Sequence, residues 1–163
     1  MTPRERALAF ADSWVGVQET PGNRGKMVDQ FNRECGVALG SPWCGSFCHS
    51  CWLHAGYHGQ FKNPMPYRIS ASASGLYRWA KKAGRLTDSP EPGDIGLVPG
   101  GATGHRHVLM VERVEGGTVH TIEGNSNDEG SAEGHEVCRL ERAKGSLRYV
   151  HLGPFVAAVP AKP

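Results

Sequence analysis

The sequence predicts an α+β fold, with helices first and antiparallel strands after, and three observations predict it. Helical apolar spacing fills the first half of the 163 residues, and from Gly84 onward short runs alternate or carry β-branched residues between Gly, Asn and Asp. The two textures follow one another instead of interleaving, as a doubly wound sheet would require. No unit repeats at any period.

Four helices are expected. The first opens at Thr2-Pro3-Arg4-Glu5, where Thr2 can cap, Pro3 suits the first helical position and Glu5 completes a capping box. Ala7, Leu8, Phe10, Ala11 and Trp14 supply its apolar stripe. After a turn at Thr20-Pro21-Gly22-Asn23, a second helix over Lys26–Glu34 faces inward with Met27, Val28 and Phe31 and stops at Gly36. The third takes Ser41 as N-cap, Pro42 as its first residue and Trp43 to Ala55 as its body, closed by a left-handed Gly56. A break at Asn63-Pro64-Met65-Pro66-Tyr67 precedes the fourth, Ala71–Ala83, with Leu76, Trp79, Ala80 and Ala83 on one side. Strands are expected at Asp94–Val98, Val108–Val114, Thr118–Glu123, Glu136–Glu141 and Leu147–Leu152. The length suits one domain, taken as residues 1–159, followed by a frayed tail at 160–163.

Composition excludes several classes. With 39% hydrophobic and 21% charged residues the chain is neither disordered nor fibrous. A net charge of +2 creates no field suited to nucleic acid. No apolar run approaches the ~20 residues of a membrane span, and Met1-Thr2-Pro3-Arg4-Glu5-Arg6 lacks the apolar stretch of a signal peptide, so synthesis in the cytoplasm is expected. Five cysteines, an odd number clustered as Cys35, Cys44, Cys48, Cys51 and Cys138, do not form a disulfide scaffold.

Chemistry is concentrated in three places. Counted from Ser41, Cys44 falls at the third helical position, where unpartnered backbone N–H groups and the helix dipole favour a thiolate. Cys48 and Cys51 follow along the same helical face as small apolar fillers, while Ser46, His49, Ser50 and His54 are expected to point to solvent. The spacing C-x3-C-x2-C is also that of radical S-adenosylmethionine iron–sulfur sites, but those ligands sit in a loop and here a helix begins.

Next come His105 and His107, at the mouth of an apolar strand. Either imidazole can serve as a general base; as a zinc pair they lack a third ligand. Third are Glu123 and Asn125, on one face of the following strand. A three-residue loop, Glu115-Gly116-Gly117, places Asn125 opposite His107 and Glu123 opposite Leu109, favouring His107 as the base. A two-residue Gly116-Gly117 turn slips the register by one and sends both groups to the other side, so the longer loop is a structural expectation. Asn125, Asn127, Glu129, Gly130 and Glu136 also match calcium-loop positions, but the segment enters from a strand and lacks the first Asp. His49, His54, His58, His120, His135 and His151 are expected in surface or packing roles.

Taken together, Pro42-Trp43-Cys44-Gly45-Ser46-Phe47, Pro92-Gly93-Asp94, Gly104 to His107-Val108 and Ile122-Glu123-Gly124-Asn125 resemble the CHAP family of cysteine- and histidine-dependent amidohydrolases/peptidases. The resemblance runs from about Trp14 to Leu152 and implies a papain-like α+β fold acting on peptidoglycan, as in phage endolysins and bacterial wall hydrolases. It makes Cys44 the nucleophile, His107 the base, and Glu123 and Asn125 the groups that orient the imidazole. His105, Cys48 and Cys51 depart from the family pattern without removing a catalytic group. Neither metal nor cofactor is expected to be required, since no acidic cluster near the N-terminus resembles the calcium site of some members. A monomer is expected that binds bacterial peptidoglycan without inserting into membranes and reaches the wall through a holin-type lesion or a secretion system. A wall-binding or phage structural module without turnover is the alternative.

Overall fold

The computed structural model describes residues 1–56, 61–126 and 134–155. Among these residues four α-helices, α1 (Pro3–Asp12), α2 (Lys26–Cys35), α3 (Cys44–Ala55) and α4 (Ala73–Lys82), precede a sheet of β1 (Leu86–Thr87), β2 (Ile95–Pro99), β3 (His105–Glu115), β4 (Thr118–Ser126), β5 (Glu136–Ala143) and β6 (Arg148–Val150). The strands run antiparallel in the order β1-β6-β2-β3-β4-β5. This is the α+β order expected; the two-residue edge strand β1 was too short to show a pattern. The tail at 160–163 and most of the calcium-loop match lie outside the described residues.

The capping box of α1 forms: Thr2 accepts from the Glu5 backbone N–H at 3.2 Å and donates its own to the Glu5 carboxylate at 2.7 Å. Gly36 ends α2 in the left-handed region, φ 78°. The start of α3 departs from expectation. Trp43, not Ser41, is its N-cap, so Cys44 is the first helical residue instead of the third. The Asn32 amide holds the Ser41 carbonyl at 3.1 Å and Glu19 holds the Trp43 indole at 2.6 Å, which keeps Ser41 and Pro42 in the approach loop. Gly56 is not left-handed either, with φ −92°; it is needed because a Cβ there would lie 2.8 Å from the Phe61 carbonyl.

Helix α3 packs on α1, α2, β3 and β4. Trp43, Phe47, Cys48, Cys51 and Trp52 meet Val108, Met110 and Ile122 of the sheet, and each fully buried side chain of Leu or Phe size contributes about 1.5–3 kcal/mol. Leu109, Val111 and Val119 alternate to the opposite face and join Leu147 and Tyr149. Ser46, His49 and Ser50, expected in solvent, are buried. The segment 66–71 closes over them: its Ser70 carbonyl lies 1.9 Å from where a Cβ on Gly45 would stand. Among the described residues no helix is long and apolar enough to cross a membrane.

Candidate active site

The hairpin β3–β4 sets the geometry, by a route the sequence did not show. Its turn is the two-residue Gly116-Gly117, with Glu115 opposite Thr118, not the three-residue loop expected. That register alone would have turned Glu123 away from His107. It persists only as far as Arg113↔His120; Glu112 is then bulged out, and Val111↔Thr121 and Met110↔Ile122 resume the register that the longer loop would have given. One extra residue in the strand replaces one in the turn. The Glu112 side chain is held by Arg139 at 3.0 Å.

His107 and Glu123 meet as a result, with Nε2 2.8 Å from Oε2 and both side chains buried. Glu123 is saturated. Its Oε1 accepts from Thr121 Oγ1 at 2.6 Å and Arg142 Nε at 2.6 Å, and its Oε2 from Arg142 Nη2 at 2.7 Å. Burial opposes its charge, but Arg142 and His107 outweigh it and bring the carboxyl down to about 2. An ionised carboxylate only accepts, so Nε2 carries the proton and, in the neutral ring, the lone pair is on Nδ1.

Cys44 completes the group from the first turn of α3. Gly124 allows the approach: a Cβ there would lie 2.8 Å from Phe47 and 2.9 Å from the Trp43 ring. Burial raises the Cys44 pKa, yet hydrogen bonding and charge coupling to His107, then the Val108 and Gly45 backbone N–H groups, bring it below its ordinary value. Burial likewise lowers His107, but Cys44 and Glu123 together lift it to about 9. The interaction of Cys44 with His107 places sulfur and ring close together, with His107 Nδ1 in no well-formed hydrogen bond among the described residues. Such a thiolate–imidazolium pair can attack a carbonyl carbon and return the proton to a leaving amine.

Asn125 does not hold the ring as expected. Its backbone is left-handed, φ 53°, and the pairing with β5 slips between Glu123 and Ser126, which breaks the alternation that would have kept it beside Glu123. Its Oδ1 is buried without a hydrogen-bond partner among the described residues. His105 is also apart, stacked on Tyr77 with ring centroids 4.3 Å apart. Sequence reasoning missed Thr121 and Arg142. Thr121 shares the inward parity of Glu123, and Arg142 is an arginine at the inward parity of Cys138 and Leu140, which was the available signal.

Cys48 and Cys51 are fully buried on α3, where burial first, then for Cys48 its thiol and carboxylate neighbours, push both thiols well up. They pack in the core on a helix, not on the loop that an iron–sulfur site would use. Among the described residues no group of three His, Cys, Asp or Glu side chains is arranged to hold a metal ion. A pocket of about 240 Å³ adjoins the start of α3, lined by Glu19, Gly22, Asn23, Pro42, Asn125 and Gly134. Two larger hollows, of about 400 and 420 Å³, are lined from the β1 and β6 side and share no residue with this site.

Cys44, His107 and Glu123 thus form a buried cysteine–histidine–carboxylate group on an α+β frame. The CHAP domain model matches residues 36–125, and the chain belongs to that family. No curated protein matches the chain. Among solved structures, the crystal structure of Ly7917 with the hydrolyzing product of MDP is similar, with a TM-score of 0.51 and 15% identity over 93% of this chain. That likeness shows the fold; the chain spans 64% of the length of Ly7917.

Proposed function

We propose that the chain hydrolyses an amide bond of peptidoglycan, as a muramoyl–alanine amidase or a stem or cross-bridge endopeptidase, and serves bacterial cell lysis. The observation that carries this is the assembly of Cys44, His107 and Glu123 from three separate elements. Family membership supports the substrate class, as does the hydrolyzing product of MDP held by the structurally similar Ly7917.

In this mechanism the Cys44 thiolate attacks the carbonyl carbon, and the new oxyanion is met by the Cys44 backbone N–H, which at the first helical position has no intrahelical acceptor. His107 gives its Nδ1 proton to the departing amine, leaving a thioester. It then takes a proton from water, which attacks the thioester and frees the acid and the thiolate. Glu123 fixes the ring through Nε2 and Arg142 fixes Glu123. The enzyme acts as a monomer without a cofactor and reaches the wall through a holin-type lesion or a secretion system.

Incubation with purified sacculi, followed by mass spectrometry of the released fragments, tests the proposal and identifies the bond. Cys44→Ala is expected to lower the rate by at least about 10⁴-fold while the thermal midpoint moves by only a few degrees. Undiminished release by that folded variant would overturn the assignment, and no release by the parent chain would favour a binding module.

A further inference from the structure

Charge is distributed along this chain in a way that the reaction does not use. From Cys35 to Thr87 there is no Asp or Glu, while Lys62, Arg68, Arg78, Lys81, Lys82 and Arg85 all fall in that stretch. The chain has 18 basic and 16 acidic residues, so the molecule outside this stretch is net acidic.

The fold gathers part of the excess on one helix face. Arg78, Lys81 and Lys82 are exposed on α4, and spacings of three and four residues set them side by side, where like charges repel. None of the three makes an ion pair among the described residues. By contrast Arg24, Arg113 and Arg139, exposed on other elements, are each held by a carboxylate. Lys81 and Lys82 offset the dipole at the end of α4, but Arg78 stands a turn earlier. The face also borders the cleft. Tyr77 of α4 stacks on His105, Ser74 Oγ donates to the Thr103 carbonyl at 2.7 Å, and His107 lies two residues further along β3. Burial first, then the positive charge of Arg148, lower the His105 imidazole, so a positive field extends to that strand end. Unpaired cations in a row on a helix beside the cleft complement a polyanion lying across it. Peptidoglycan is one, because its stem peptides carry free carboxylates at intervals along the glycan.

We propose that the exposed face of α4 is a docking surface for the carboxylates of peptidoglycan stem peptides next to the one being cut, with Arg78, Lys81 and Lys82 as the contacts. The inference rests on the peptidoglycan reading above.

Cosedimentation of the Cys44→Ala protein with purified sacculi measures docking without turnover. Adding Arg78→Gln, Lys81→Gln and Lys82→Gln keeps helix-forming side chains and is expected to weaken binding at least about tenfold at about 50 mM salt, and to remove most of its salt dependence. Arg24→Gln, Arg113→Gln and Arg139→Gln take the same charge from other elements, where exposed ion pairs add little stability, and are expected to leave cosedimentation as it was. Sacculi with amidated carboxylates should bind no better than untreated sacculi bind the α4 variant. Thermal melts check each fold, and Arg78→Gln alone, expected to weaken binding about threefold, replaces a triple variant that melts early. Undiminished binding by the α4 variant, or to amidated sacculi, overturns the surface. Equal loss in the two triple variants does so too, by reducing the effect to net charge. Loss of binding once phosphate polymers are stripped from the sacculi overturns it in favour of a phosphate partner, and absence of any cosedimentation also overturns it. Digestion of sacculi by the parent chain is scored separately, so turnover without α4-dependent binding removes the surface and leaves the hydrolase.

Discussion

Helix α3 places three thiols and a histidine in one run of buried residues, and its first turn behaves differently from the two that follow. Cys44 is 6% exposed and Cys48 and Cys51 are not exposed at all, yet the first is driven toward thiolate and the others away from it. Two buried imidazoles show the same contrast. His49, in the second turn of α3, is lowered by burial to about 4; its Nδ1 has no hydrogen-bond partner among the described residues, and only the distant charge of Glu34 acts against the burial. His107 is equally buried, but Glu123 and Cys44 lift it to about 9. Burial alone makes a group inert in this protein. What activates the first turn is the arrival of β3 and β4, which bring a counter-charge into the same dry space.

The strongest way to break that contrast is to move the strands. Inserting one residue between Met110 and Val111 pairs the new residue with Ile122 and Met110 with Glu123, which should slip His107 off Glu123 and cost at least about 10²-fold in the rate of sacculus digestion. Deleting Glu112 instead lets Arg113↔His120 run straight into Val111↔Thr121, so the site register is kept and that variant should retain much of the rate. A folded insertion variant with full activity would show that this register does not set the site. Glu123→Gln keeps the shape and removes the charge. It is expected to cost about 10–100-fold and to move the alkaline limb of the pH–rate profile below the value of about 9 that His107 has in the parent.

Iodoacetamide sharpens the comparison within one helix. Between pH 6 and 8 Cys44 should be alkylated at least about tenfold faster than Cys35, Cys48, Cys51 or Cys138, as read by peptide mass spectrometry. Equal rates would mean that the first turn is not activated. The smallest effect is on stability in acid. The Glu123 carboxyl falls from 4.5 to about 2 on folding, so its charge stabilises the protein above pH 4.5, and that contribution, about 3 kcal/mol, is lost as the pH drops through about 2. The gap in unfolding free energy between the parent and Glu123→Gln should therefore be constant between about pH 4.5 and 6.5, narrow toward pH 2, and narrow again as the pH rises through about 9, where the parent loses the charge on His107.

Much of this was legible in the chain. The capping box at Thr2 and Glu5, the inward periodicity of α2 and the left-handed Gly36 are local signals, and local signals survive folding. His107 and Glu123 could be paired because strands alternate. The bulge could not be read, since Glu112 continues an ordinary alternation and only the conflict between turn and site registers exposes it. Ser46, His49 and Ser50 were expected in solvent on residue type, and only the return of segment 66–71 over α3 buries them. Arg142 reaches Glu123 across a strand pair whose register also slips, so its role depends on three-dimensional pairing.

The contact between Gly45 and the Ser70 carbonyl has a practical consequence for anyone redesigning this cleft. Because main chain occupies the space where a side chain would begin, position 45 has no permissive alphabet. Diversification aimed at new bond preference is better spent on the pocket wall at Gly22, Asn23 and Pro42, with the dipeptide Cys44-Gly45 kept as a fixed hinge pin.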